Sequence, residues 1–314
     1  MIIFVHIPKT AGTSFSKALD NKFGADHVAY DYGPGFSRTS EAVLDHLYNN
    51  SEPDFWGVRR ALENKHIEVL SGHFPAKKYS SLFNITQFST FFREPVQRCY
   101  SEYCHRKRRN FDRFDGDFEE YCKTPKFMNT QSSFMDGIPW AAFGFVGITE
   151  QYEDSLELFC EFSGTRLERL DLNQNSEKSR NLYDLSPRDF SFAQSANQKD
   201  LNLYSAAKAY FNELKRAHNE GLPLVKGQFH RVSENRISGY AFYADQSLEN
   251  DDVVIDILVN GKVVTRCEAN EYRQRLYNFG LPKRGYVGFS ANVDMDPGSE
   301  VVAVCSKTGQ RLAG

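Results

Sequence analysis

Phe4-Val5-His6-Ile7-Pro8-Lys9-Thr10-Ala11-Gly12-Thr13-Ser14-Phe15 is the stretch on which the fold turns. Ile2-Ile3-Phe4-Val5 has the short, unbroken apolar character of a buried strand. A tight loop follows, then a helical pattern from Thr13 to about Lys22. A strand that runs through such a loop into a helix aims backbone N–H groups and the positive helix end at one point, which suits an anion. Lys9 adds a point charge, and Thr10, Thr13 and Ser14 add hydroxyl donors, while Ala11 and Gly12 contribute backbone. The GxxxxGK[ST] phosphate loop carries its Lys after the second Gly; here Lys9 precedes the only Gly, so the loop is of another type. An ordinary strand–turn–helix, with Gly12 at the turn and Thr13 as cap, fits the same residues.

Outward from this loop, β-rich runs alternate with helical patterns. Ile67-Glu68-Val69-Leu70, Thr86 to Phe92 and Phe145-Val146-Gly147-Ile148 read as strands. Helices are expected from Glu94-Pro95, over 149–163, and from Ser186-Pro187-Arg188-Asp189, which supplies a capping Ser and an acid three residues on. Leu201, Tyr204, Ala207, Phe211 and Leu214 then form an apolar stripe at helical spacing. The alternation predicts an α/β fold with a mostly parallel sheet flanked by helices.

Gly221-Leu222-Pro223 ends the helical pattern, and the texture changes. Val253 to Val259, the Asn260-Gly261 pair and Lys262 to Thr265 read as a β-hairpin. Gly285 to Ser290 and Val301 to Val304 continue as strands. We therefore expect two domains, an α/β domain over 1–222 that stands by itself and a small antiparallel β-sandwich over 226–314.

The chain has 314 residues, with 38 Lys+Arg against 41 Asp+Glu and a formal net charge of -3. A nucleic-acid coat protein carries a basic excess, so no nucleic-acid partner is expected, and any anion must be held by a local cluster. No apolar run approaches a membrane span, and Met1 to Val5 is no signal peptide, so the expected location is cytoplasmic. Six cysteines lack metal-ligand spacing; Cys99 and Cys104 beside His105 are read as free thiols, and no metal is expected. The composition leaves the oligomeric state open.

Phe92-Arg93-Glu94-Pro95-Val96-Gln97-Arg98-Cys99-Tyr100-Ser101 repeats the logic of the first loop: a strand end, a cation, then a helix. Two strand-end anion sites, one around Lys9 and one around Arg93 and Ser101, suit a nucleotide with separated 5′ and 3′ phosphates. The Pro8 to Ser14 loop resembles the 5′-phosphosulfate loop of sulfotransferases that use 3′-phosphoadenosine 5′-phosphosulfate, and Arg93 with Ser101 resembles their 3′-phosphate pair. The resemblance is to the branch containing heparan sulfate 2-O-sulfotransferase and its bacterial relatives. It extends in order through Ser71-Gly72-His73-Phe74, Asn129-Thr130-Gln131, Phe145 to Glu150, Asn175-Ser176-Glu177-Lys178 and Leu203 to Lys208.

That resemblance implies a P-loop-like sheet and transfer of a sulfuryl group from 3′-phosphoadenosine 5′-phosphosulfate to a hydroxyl of a glycan or glycolipid, without metal. It implies that His73 is the base, that Lys9 stabilises the departing charge, and that Ser176 and Lys178 belong to a loop closing over the nucleotide. Glu94 stands next in line as base, while His66 and His105 are read as structural. The basic run Arg106 to Arg109 fits either a solvated helix end or a rim that attracts an anionic acceptor. Segments such as Ala269 to Arg273 and Gly288-Phe289 resemble a β-sandwich module of bacterial glycan-modifying enzymes. Two rival functions are a small kinase, which needs a strand ending in a metal-binding Asp where the sequence shows no clear one, and a silent glycan-binding adaptor, against which Lys9, His73, Arg93 and Ser101 together argue.

Overall fold

A computed structural model describes residues 1–109, 114–168, 182–296 and 298–314. Ser176 and Lys178 lie outside the described residues.

Strands β1 (Ile2–Val5), β2 (Val28–Asp31), β3 (Val69–Gly72), β4 (Phe88–Phe92) and β5 (Phe145–Ile148) form one sheet in the order β2-β3-β1-β4-β5. Every pairing in it is parallel. β1 and β5 carry unbroken apolar runs, as strands covered on both faces do; Ile3, Phe4 and Val5 are fully buried. Helices α1 (Gly12–Phe23), α2 (Glu41–Val43), α3 (Phe55–Asn64), α4 (Pro95–Arg109), α5 (Phe118–Lys123), α6 (Thr130–Phe134), α7 (Tyr152–Ser163) and α8 (Pro187–Ala196) flank this sheet or link its strands, and α9 (Gln198–Asn219) follows them in the chain. The expected strand at 67–70 sits two residues later, since Ile67 and Glu68 lead into the strand. β2 escaped the sequence reading altogether: its four residues are only two apolar ones followed by Tyr30 and Asp31, and they carry no apolar run.

Asp31 ends β2 at the carboxyl edge of the sheet, so a strand ending in Asp is present after all. Its carboxylate is committed elsewhere: Lys78 Nζ lies 2.5 Å from Oδ2, and the hydroxyls of Tyr79 and Tyr48 each donate at 2.8 Å. Gly72, beside it in the pairing, has no room for a side chain, because a Cβ there would lie 1.9 Å from the Asp31 carbonyl oxygen.

By packing, the chain resolves into two compact units. One holds 1–82, 87–138 and 145–205; the other holds 83–86, 139–144 and 206–314. α9 ends in a Schellman motif: Gly221 is left-handed at φ 64°, its N–H reaches the His218 carbonyl, and Leu222 N–H reaches that of Ala217.

The second unit contains two antiparallel sheets. β6 (Val225–Ser233), β7 (Arg236–Tyr243), β10 (Glu271–Tyr272) and β11 (Tyr286–Asn292) stand in the order β10-β11-β7-β6, and β8 (Val254–Val259), β9 (Lys262–Glu268) and β12 (Val301–Cys305) in the order β12-β8-β9. Ile237, Ala241 and Phe289 from the first sheet share one apolar core with Ile255, Ile257 and Ala303 from the second. Asn260 and Gly261 both take positive φ, as the two-residue hairpin turn between β8 and β9 requires. Lys226 is buried in this unit, and its ammonium donates to the carbonyls of Phe143 and Gly144, both at 2.7 Å.

Candidate active site

Parallel strands deliver their carboxyl ends to one edge, and the loops after β1, β3 and β4 therefore emerge side by side. The loop after β1 bends through two left-handed non-glycine residues, Lys9 at φ 70° and Ala11 at φ 63°. Such conformations are held against their own strain by surrounding structure and cluster at functional sites. Ala11 occupies the N-cap position of α1 and provides no side-chain acceptor, so Thr13 is not the cap, and the first N–H groups of α1 are left without one. Thr13 is exposed there. Ser14 is buried, and Thr10 is fully buried with its hydroxyl donating to the Ile7 carbonyl at 2.9 Å. The single hydroxyl proton of Thr10 is thus committed to shaping the loop, which corrects the expectation that it donates to an anion; what Thr10 has to offer is its backbone N–H.

Gly12 is required for a reason the sequence did not reveal. A Cβ at Gly12 would lie 2.1 Å from Cδ2 of His6, so the imidazole packs directly on the start of α1. His6 is buried, stacks on Phe4, and meets His73 edge to face with centroids 4.6 Å apart. Burial first, then the neighbouring cations, holds its pKa well below the usual imidazole value, so His6 is neutral.

His73 follows directly from β3. Its ring is crowded by His6 and by Tyr32, whose centroid is 4.7 Å away, yet one side of it remains exposed. Crowding pushes its pKa down to about 4, opposed by Glu102 and aided by Arg38 and His105. Water on the exposed side tempers that fall. The imidazole is therefore neutral at ordinary pH and has a free side on which to accept a proton, but each fall in its pKa makes it a weaker base.

Arg93 ends β4 and turns back to the first loop, where its Nη1 donates to the Lys9 carbonyl at 3.0 Å. The Gln131 amide clamps the backbone of Arg93 from both sides, with two hydrogen bonds of 2.9 Å. Ser101, two turns along α4, is buried and lies 3.5 Å from the Tyr183 hydroxyl. Arg93 and Ser101 are therefore held by different partners, one on the Lys9 loop and one on Tyr183. Lys9 itself is half-buried, and its pKa is lowered by burial and by Arg93, Arg108 and Arg109, with Glu102 opposing. The basic run at the end of α4 thus acts on the Lys9 loop. Glu94 caps α4, its carboxylate accepting from the Gln97 N–H at 2.7 Å, and burial raises its pKa above the usual carboxylate value.

The remaining sequence blocks support this edge. Glu150 accepts from the Glu94 N–H at 2.9 Å and from the Tyr204 hydroxyl at 3.0 Å. Asp200 accepts from the N–H groups of Gln131 and Ser132, and the Asn129 side chain accepts from Lys199 and Asp200 at the start of α9. Their function is to fix the Arg93 strand end.

Sequence reading missed two charged residues on α4. Glu102 is buried, pairs with Arg106 at 2.9 Å, and influences Lys9, His73 and His105 together. Arg98 is fully buried, and its Nε, Nη1 and Nη2 have no hydrogen-bond partner among the described residues. The Tyr121 hydroxyl, on which Arg98 acts electrostatically, is equally unpartnered. The spacing of Arg98 three residues before Ser101 places both on one side of α4 and was the available signal.

No family model, curated protein or solved structure matches the chain.

Proposed function

We propose that the protein is a sulfotransferase that uses 3′-phosphoadenosine 5′-phosphosulfate and a P-loop-like site to modify a hydroxyl of a carbohydrate or glycolipid. The observation that carries this is the meeting, at one sheet edge, of an uncapped helix start, the strained Lys9 loop, an Arg93 bonded to that loop and a neutral His73. The donor set fits a bisphosphate: cationic Lys9 and Arg93 and open N–H groups surround the α1 start, and Arg98 adds a buried positive charge with no counter-charge bonded to it.

Lys9, Gly12 and Thr13 would hold the 5′ side through the ammonium and backbone N–H groups. Arg93 and Ser101 would hold the 3′ phosphate, the Ser101 hydroxyl being freed by its weak contact with Tyr183. When bound, the phosphosulfate supplies the sulfuryl group. His73 takes the proton of the acceptor hydroxyl on its exposed side, and His6 and Tyr32 keep its ring oriented. Lys9 places positive charge where the leaving oxygen gathers negative charge.

Calorimetric titration without metal tests the nucleotide assignment. 3′-Phosphoadenosine 5′-phosphate is expected to bind at least about tenfold more tightly than AMP or ATP, the scale of one charge-assisted hydrogen-bond pair. Equal affinity for AMP would refute the role of Arg93 and Ser101.

A further inference from the structure

The second unit carries an exposed aromatic surface that the transfer reaction does not use. Tyr272, Tyr277 and Tyr286 are 43%, 51% and 51% exposed. Tyr272 and Tyr286 are cross-strand partners on β10 and β11, with ring centroids 5.2 Å apart. Tyr277 comes from a short helix, α10 (Gln274–Asn278), and lies 6.4 Å from Tyr272. Gly285 makes the approach possible: a Cβ there would sit 2.8 Å from the Tyr277 backbone nitrogen.

Tyr277 also lines a cavity of about 550 Å³, together with Glu249, Asn250, Lys283 and Arg284. The loop along this cavity is held in an unusual shape, with Lys283, Arg284 and Gly285 all left-handed at φ 52°, 52° and 83°. Strain of that kind persists only where surrounding structure over-determines it, and it accumulates at ligand clamps. Two of the cations nearby are neutralised in place, Lys283 by Asp252 and Arg273 by Glu271 at 2.5 Å, and the exposed Arg284 shares the cavity lining with the Glu249 carboxylate.

We propose that this surface binds a neutral glycan chain, its pyranose rings lying on the three tyrosines and its hydroxyls reaching the adjoining polar cavity. A pyranose offers an apolar C–H face to an aromatic ring and a rim of hydroxyls to polar groups, and tyrosine matches both with one apolar face and one polar tip. Three rings at 5.2 and 6.4 Å spacing offer successive footholds for neighbouring sugars. The two ion pairs and the Glu249 carboxylate in the lining argue against an acidic chain, which would call for a cluster of cations without carboxylates among them. A protein partner would favour a wider apolar patch without a polar cavity beside it.

Affinity electrophoresis of the full chain in native gels containing hydroxyethylcellulose, yeast mannan or alginate tests the proposal. Retardation is expected in at least one neutral gel and not in alginate. Tyr277→Ala is expected to weaken it about 2- to 12-fold, the worth of one aromatic contact, and Tyr277→Phe to retain it. Tyr286→Ala should act in the same direction; because it also removes a cross-strand pair, the α10 variant decides if this one fails to fold. His73→Ala should leave retardation unchanged, which separates this surface from the proposed transfer site. No retardation in either neutral gel, retardation by alginate alone, or a normally folded Tyr277→Ala that migrates like the parent would overturn the proposal. Capture of a protein partner through these tyrosines, without glycan retardation, would overturn it as well.

Discussion

Replacing Arg98 by methionine should make the protein more stable and its nucleotide site weaker. The guanidinium is fully buried, and all three of its nitrogens lack a hydrogen-bond partner among the described residues. A buried donor without an acceptor costs about 1–3 kcal/mol, and an uncompensated buried charge costs more. Methionine keeps an unbranched apolar stem in the same space, lined by α4 and the aromatic cluster around Tyr121, and carries no charge. Exchanges of buried charge for apolar volume stabilise by about 1–4 kcal/mol, and we expect Arg98→Met to fall in that range. Urea unfolding followed by fluorescence should show a higher midpoint with an unchanged slope. The same charge acts on Arg93 and belongs to the positive field around the proposed 3′-phosphate position. Its loss should weaken 3′-phosphoadenosine 5′-phosphate about tenfold, or about 1.4 kcal/mol. A variant that is less stable and binds the bisphosphate as tightly as the parent would refute both steps, because Arg98 would then have a partner in the folded protein and no part in anion binding.

Two further outcomes follow from titrating groups. His73 must be neutral to accept a proton, and a group is neutral above its pKa when its acid form is cationic; with the pKa lowered toward about 4, the acidic limb of kcat/KM should lie well below the usual histidine value of ~6.5 and vanish in His73→Ala, with turnover down about 10²–10⁴-fold. A limb near ~6.5 that persists in the variant would assign the base elsewhere. Lys226, pushed down to about 7 by burial, binds its proton less readily folded than unfolded, so stability should rise as pH increases from about 7 toward the ordinary lysine range of ~10.4. Lys226→Met should flatten that rise in pH-dependent urea midpoints, and a parent whose midpoint falls over the same interval would contradict the assignment.

The parallel sheet was legible because strands buried on both faces read as unbroken apolar runs; β1 and β5 stand where those runs stand. β2 was not legible, because an edge strand of four residues ending in Tyr30 and Asp31 has no such run, and its place is fixed by pairing with β3 and by the ligands of the Asp31 carboxylate. The Asn260-Gly261 hairpin could be read because its turn depends on two local φ values. The packing limits of the two units could not: residues 139–144 join the second unit through tertiary bonds to Lys226 and Tyr210, which no local pattern announces.

The same division between local and tertiary causes runs through the candidate site. Lys9 and Arg93 could be named from sequence since each follows a strand end, and strand ends of a parallel sheet share an edge whatever else the chain does; His73 was named through the resemblance of its Ser-Gly-His-Phe context. Roles that depend on a partner were different. Thr10 counts as a donor in sequence but is bonded to Ile7, and Ser101 pairs in motif with Arg93 but in space with Tyr183. Glu102 gave no signal at all, because its effect on both Lys9 and His73 arises from tertiary proximity that no local pattern announces. One carboxylate that opposes the lowering of pKa in both the proposed base and the proposed charge stabiliser ties the two halves of the reaction to one residue on one helix. The Arg93 clamp by Gln131, the Glu150 bond to Glu94 and the Asp200 bonds to Gln131 all converge on the start of that helix, so the rigidity of the edge is built around α4 more than around the loop that first draws the eye.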